Sequence, residues 1–214
     1  MKVKVALFDT QTSNIKSVYY ALLKTGFNVT IIRSSLDFKD KYDGFIFPGI
    51  GSFQSVIENL KKKDIDNIIM DQINLIPSMF ICVGMQILFE SSDEFGFTEG
   101  LGIVKGSVKK IPRIFENKDI KVPVIGWNNV KSLNVDSKVS IIEKNSEKPY
   151  YFTHSFYCDP SEKKIISSFA KIKNFKYCSS ISINKMNALQ FHPEKSGLDG
   201  LKLYKNFFNI CKTK

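Results

Sequence analysis

The sequence predicts an α/β fold, with a mostly parallel central sheet flanked by helices and an antiparallel extension in the C-terminal half. Three observations lead there. Apolar runs at Val3–Phe8, Gly44–Phe47 and Met79–Cys82 lack the in-out alternation of a half-exposed strand, so each reads as a strand buried on both faces. Segments with helical spacing of apolar residues lie between them. From about Leu101 onward the strands shorten and the turns become hairpin-like. Strands that alternate with helices build a parallel sheet covered on both faces, and ligands of such sheets bind beyond the carboxyl ends of the strands.

The elements follow in order. Val3–Phe8 stops at Asp9, too soon for the apolar segment of a signal peptide, and is expected to be the first strand. A polar turn, Thr10-Gln11-Thr12-Ser13-Asn14, precedes a helix with Ile15, Val18, Tyr19 and Leu22 on one face, and Gly26 ends it. Asn28–Arg33 reads as the second strand. The third, Gly44–Phe47, is stopped by Pro48-Gly49-Ile50-Gly51-Ser52. Phe53–Leu60 and Ile65–Leu75 are expected helices. Pro77-Ser78 leads into the fourth strand, Met79–Cys82, and another helix is expected over Met85–Glu90. The chain closes with a helix, Leu198–Ile210. Neither a repeat nor a low-complexity linker divides it, so residues 1–214 are expected to form a single domain.

Composition excludes several function classes. The chain is 43% hydrophobic and 24% charged, as expected of a globular protein, and no apolar run reaches membrane-spanning length. Its 31 Lys+Arg against 21 Asp+Glu give a net charge of +10, which raises the question of nucleic acid. Arg33 and Arg113 are the only arginines, however, and the lysines are scattered without interleaved aromatics. That pattern does not suit bidentate reading of phosphates or bases, so no nucleic-acid partner is expected. Cysteines at 82, 158, 178 and 211 form no C-x-x-C pair and have no histidine at ligand spacing. Neither a disulfide framework nor a metal site is expected, and a cytoplasmic location follows.

Cys82 is the sharpest candidate for chemistry. It lies between a strand and an expected helix, followed by Val83-Gly84, where a tight turn thrusts a side chain out of the sheet. Backbone N–H groups at such a turn favour negative charge on the sulfur. Late in the chain, Gln190-Phe191-His192-Pro193-Glu194-Lys195-Ser196 holds one of the two histidines. In an extended segment His192 and Glu194 point the same way, so Glu194 can orient the ring while His192 takes the thiol proton. That is the nucleophile, base and orienter of acyl transfer. Pro48-Gly49-Ile50-Gly51 is a third candidate, because glycines let backbone N–H groups turn toward an oxyanion.

Together these motifs resemble the class I (triad) glutamine amidotransferases and, more narrowly, the glutaminase subunits of imidazole glycerol phosphate synthases. Pro48 to Phe53, Cys82 to Glu90, Gly100-Leu101-Gly102, Gly126-Trp127-Asn128, Tyr151 to Phe156 and Gln190 to Ser196 carry the likeness through nearly the whole chain. The resemblance implies a flavodoxin-like amidotransferase fold and hydrolysis of L-glutamine through a thioester on Cys82, with His192 and Glu194 completing the triad. It implies an oxyanion hole from the backbone of Ile50, Gly51 and Val83. Gln86, Glu94, Ser155 and Phe156 would hold the glutamine. No cofactor and no metal are implied. The partner implied is a (β/α)8-barrel cyclase subunit, joined in a heterodimer and reached by the ammonia, with Asn14, Trp127, Asn128 and Lys195 at the interface. His154 reads as structural or pocket-lining. A paralogue that supplies ammonia for amidination of a surface sugar shares this chemistry, and a catalytically silent scaffold is the alternative from another class. Three departures stand out: Phe80 replaces the glycine two residues before the nucleophile, the turn at 10–14 lacks its usual glycines, and Val124 replaces a histidine.

Overall fold

The computed structural model describes residues 3–9, 15–133 and 140–213. The first half alternates as expected: β1 (Lys4–Phe8), α1 (Ile15–Lys24), β2 (Asn28–Ile32), β3 (Gly44–Gly49), α2 (Phe53–Lys62), α3 (Ile65–Gln72), β4 (Ser78–Cys82) and the one-turn helix α4 (Val83–Gln86). Three short and mostly antiparallel pieces follow, β5 (Phe89–Ser92), β6 (Thr98–Glu99) and β7 (Val104–Lys110), then the two-residue strands β8 (Ile114–Phe115) and β9 (Lys118–Asp119). The rest is β10 (Val124–Ser132), β11 (Glu147–His154), β12 (Phe156–Pro160), β13 (Ile166–Ile172), β14 (Phe175–Ile183), β15 (Met186–Leu189) and the closing helix α5 (Gly197–Lys212).

Nine strands form one sheet in the order β11-β10-β13-β14-β15-β4-β3-β1-β2. The half from β15 to β2 is parallel and the half from β11 to β15 is antiparallel. β3 and β4 sit mid-sheet and are buried along their whole length, which is why their sequences run apolar without alternation. A second sheet, β12-β7-β5-β6, leans on the first. Among the described residues no helix is long and apolar enough to cross a membrane.

The expected helix over Met85–Glu90 is not there. Only Val83–Gln86 are helical, and the chain then becomes β5. The reason lies a dozen residues further on. The backbone N–H groups of Leu101, Val104, Gly102 and Gly100 bond the carbonyls of Ile87, Leu88, Phe89 and Glu90, which a helix would have needed for its own next turns. Gly100 makes this possible, since a Cβ there would run into the Phe89 carbonyl.

Two registers place the chemistry. β3 lies beside β4 with Gly49 opposite Cys82. β15 runs parallel to β4 on its other side with Leu189 opposite Ile81, so the chain leaving β15 through Gln190 emerges next to Cys82.

Candidate active site

Cys82 closes β4 at φ 55° and ψ −114°, a left-handed backbone that a non-glycine residue holds only under strain of about 1–3 kcal/mol. The elbow fits because its neighbours are glycines. A Cβ on Gly84 would meet the Phe47 carbonyl oxygen at 2.5 Å, and one on Gly49 would meet the Gly84 nitrogen at 2.5 Å. Phe80 finds room on the core side, wedged between Phe45 and Phe47 at ring-centroid distances of 5.6 and 5.9 Å. With α4 only one turn long, the local backbone rather than a helix macrodipole faces the sulfur.

His192 is held from three sides. Its backbone N–H donates to Tyr151 O at 2.8 Å, and its own carbonyl accepts from the Ser196 hydroxyl at 2.6 Å. A single 3₁₀ turn, Pro193–Lys195, folds Glu194 back so that its Oε1 lies 2.7 Å from His192 Nδ1. A carboxylate accepts, so Nδ1 carries a hydrogen and Nε2 is the ring nitrogen left to exchange a proton with Cys82. Nε2 is buried on the side of the Cys82 sulfur. Burial opposes the imidazolium most strongly, yet Cys82 and Glu194 outweigh it and push His192 from 6.5 up to about 10.

The thiol and the ring line one cavity of about 230 Å³. Ile50, Gly51, Val83, Gln86, Glu94, Ser155 and Phe156 line it too, so every residue expected to form the oxyanion hole or hold a substrate is at its wall. The constellation can do acyl transfer: a buried nucleophile, a base oriented by a carboxylate, and a glycine turn facing both.

Comparison with known proteins shows the family. The glutamine amidotransferase class-I family matches residues 6–211. The chain belongs to that family, among its HisH subunits. It is 35% identical over 208 residues to the imidazole glycerol phosphate synthase subunit HisH of Dehalococcoides mccartyi strain CBDB1, covering 97% of each chain. To the HisH subunit of Prochlorococcus marinus subsp. pastoris it is 38% identical over 208 residues, covering 95% of this chain and 97% of the other. In fold it is similar to a chain of the PurLQS structure from Thermotoga maritima, with a TM-score of 0.76 at 19% identity, covering 98% of this chain and 99% of that one.

Within the amidotransferase site, Glu94 accepts the Phe53 N–H at 2.6 Å and so ties the β5–β6 hairpin to the start of α2. The Gln86 amide donates to Phe156 O at 3.1 Å and to Gln190 Oε1 at 3.2 Å. Trp127 and Lys195 stand outside the cavity: Trp127 is 56% exposed and edge-on to Tyr151, and Lys195 Nζ lies 5.7 Å from the same ring. Asn128, beside Trp127 on β10, is half-buried, and Asn14 falls outside the described residues.

Sequence reasoning assigned no role to Gln190, Thr153 or Pro123. Gln190 Nε2 lies 3.7 Å from Cys82 Sγ, and the sulfur lies 3.9 Å from Thr153 O. Gln190 sits two residues before His192, a spacing that could have signalled a shared direction. Thr153 had no such signal, because the end of β11 reaches the thiol only through tertiary folding. His154 lines the cavity, as its pocket-lining reading expected, with Nδ1 donating to Phe156 O at 2.8 Å.

Proposed function

We propose that this chain is the glutaminase subunit of an imidazole glycerol phosphate synthase, with residues 1–214 acting as one amidotransferase domain. Cys82 attacks the side-chain amide carbon of L-glutamine as its proton passes to His192 Nε2, which Glu194 keeps aimed through Nδ1. The tetrahedral oxyanion sits against the backbone N–H of Val83 and one from the Ile50–Gly51 turn, each donor worth about 3–4 kcal/mol in the transition state. His192 returns the proton to the nitrogen, ammonia leaves, and a glutamyl thioester remains on Cys82. Water, deprotonated by His192, then cleaves the thioester, giving glutamate and the free thiol. Gln86 and Glu94 brace the walls that grip the substrate, together with the backbone at Ser155 and Phe156.

The ammonia passes to a (β/α)8-barrel cyclase subunit, which makes imidazole glycerol phosphate and AICAR for histidine biosynthesis in the cytoplasm. Trp127, Asn128 and Lys195 face that partner, and the family likeness implies the same role for Asn14. No cofactor takes part. One observation carries the reading: the thiol of Cys82 and the ring of His192, itself bonded by Glu194, line one cavity although they lie 110 positions apart in the chain. The likeness to HisH subunits supports the choice of synthase. The test is glutamate release from L-glutamine by the complex with the cyclase subunit. Cys82→Ala should lower it by roughly a thousandfold or more, and an unchanged rate would overturn the reading.

A further inference from the structure

Behind the cavity wall, against Cys82, lies a donor that the triad does not use. Gln190 is fully buried, and its side-chain amide lies between Gln86 and Cys82. The orientation of both amides follows from one backbone carbonyl. Phe156 O can only accept, so the end of Gln86 that lies 3.1 Å away must be its NH2. That same NH2 faces Gln190 at 3.2 Å, so the Gln190 atom meeting it must be the oxygen. The Gln190 NH2 is thereby turned onto Cys82 Sγ at 3.7 Å. Flipping either amide would set two donors or two acceptors against each other between buried side chains, at a cost of about 1–3 kcal/mol.

We infer that Gln190 is a positioning residue of the glutaminase reaction, holding the Cys82 sulfur and stabilising the negative charge that develops on it, with Gln86 fixing its direction. The inference rests on the reading of Cys82 as nucleophile. Two hydrogen-bond partners stand at the sulfur, and they act oppositely. Thr153 O, at 3.9 Å, can interact only with a thiol hydrogen. Gln190 donates, and an N–H donor gains strength as its acceptor becomes anionic. When the proton moves to His192, the Thr153 contact is lost and the Gln190 contact strengthens. The effect therefore falls on the chemical step rather than on capture of glutamine.

Two near-isosteric variants separate this role from simple packing. Gln190→Met keeps the length and removes the donor; Gln190→Glu keeps the oxygen that Gln86 bonds and sets a second oxygen against the sulfur. In the complex with the cyclase subunit, Gln190→Met should lower kcat about tenfold and Gln190→Glu further still, with KM for glutamine within about threefold of wild type. Iodoacetamide modification of Cys82 in the full chain, followed by peptide mapping, should slow in the same order. A Gln190→Met protein with wild-type kcat and alkylation rate would overturn the inference, as would losses in KM alone. If both variants fail to fold, Gln86→Met keeps Gln190 but frees its amide to turn. Slower alkylation of Cys82 supports the inference, and a wild-type rate overturns it. Failure of the wild-type thiol to react with the glutamine analogue 6-diazo-5-oxo-L-norleucine would instead count against Cys82 as nucleophile.

Discussion

Both histidines of the chain line the same cavity, and their surroundings shift their proton affinities in opposite directions. Burial pushes His154 down to about 4, against the pull of the Phe156 carbonyl, while Cys82 and Glu194 lift His192 to about 10 in spite of its burial. The consequences for stability have opposite signs. His154 is neutral in the folded chain and takes up a proton near 6.5 when unfolded. Its contribution is therefore present above that pH and falls away as pH drops through about 4, by roughly 3 kcal/mol. His192 contributes fully below about 6.5 and loses that contribution as pH rises through about 10. Urea unfolding between pH 7.5 and 4 should show a shallower acid decline in His154→Gln than in wild type; identical slopes would contradict this account of His154. The sequence marks His192 and Glu194 as a pair, but the extended backbone expected there is a 3₁₀ turn over Pro193–Lys195, and it is this turn that brings the carboxylate to the ring. The sequence does not mark the charge state of His154, which comes from walls contributed by distant strands.

Among the elements, the β4–α4 elbow decides whether the thiol is presented at all. Its strained φ is sustained by close approach of Gly49 and Gly84 to the neighbouring backbone. Gly84→Ala should therefore lower stability by about 1–3 kcal/mol and slow glutamine hydrolysis, because the added methyl must push the Phe47 carbonyl away. Phe80 belongs to the core rather than to the cavity. Phe80→Ala should reduce unfolding free energy by about 3–5 kcal/mol while leaving the alkylation rate of Cys82 unchanged. A slower thiol in that variant would mean that Phe80 also shapes the elbow. The parallel half of the sheet is readable from sequence because buried strands such as β3 and β4 write continuous apolar runs. The stretch after the elbow is not. Met85–Glu90 has helix-compatible spacing, and only the backbone of residues 100–104 diverts its carbonyls into a second sheet.

At the scale of the whole molecule, sheet order does what no local motif can: β15 beside β4 delivers the end of the chain to its middle. The same arrangement leaves an exposed strip next to the cavity, with Ile125 64% and Trp127 56% exposed on β10 and Lys195 over Tyr151 beside them. If the cyclase subunit docks there, Trp127→Ala should weaken the complex by about 2 kcal/mol, near thirtyfold in Kd, when titrated by calorimetry. An unchanged Kd would move the interface elsewhere. Sequence suggested this surface through Gly126-Trp127-Asn128, but exposure depends on which face of β10 the sheet covers. The central claim is that the Cys82 sulfur is the nucleophile and His192 its base, and covalent trapping tests it most directly. Treated with 6-diazo-5-oxo-L-norleucine in the complex, the chain should gain one adduct at Cys82, suppressed by excess glutamine and formed far more slowly in His192→Ala. An adduct mapped to another residue, or the same labelling rate without His192, would contradict it.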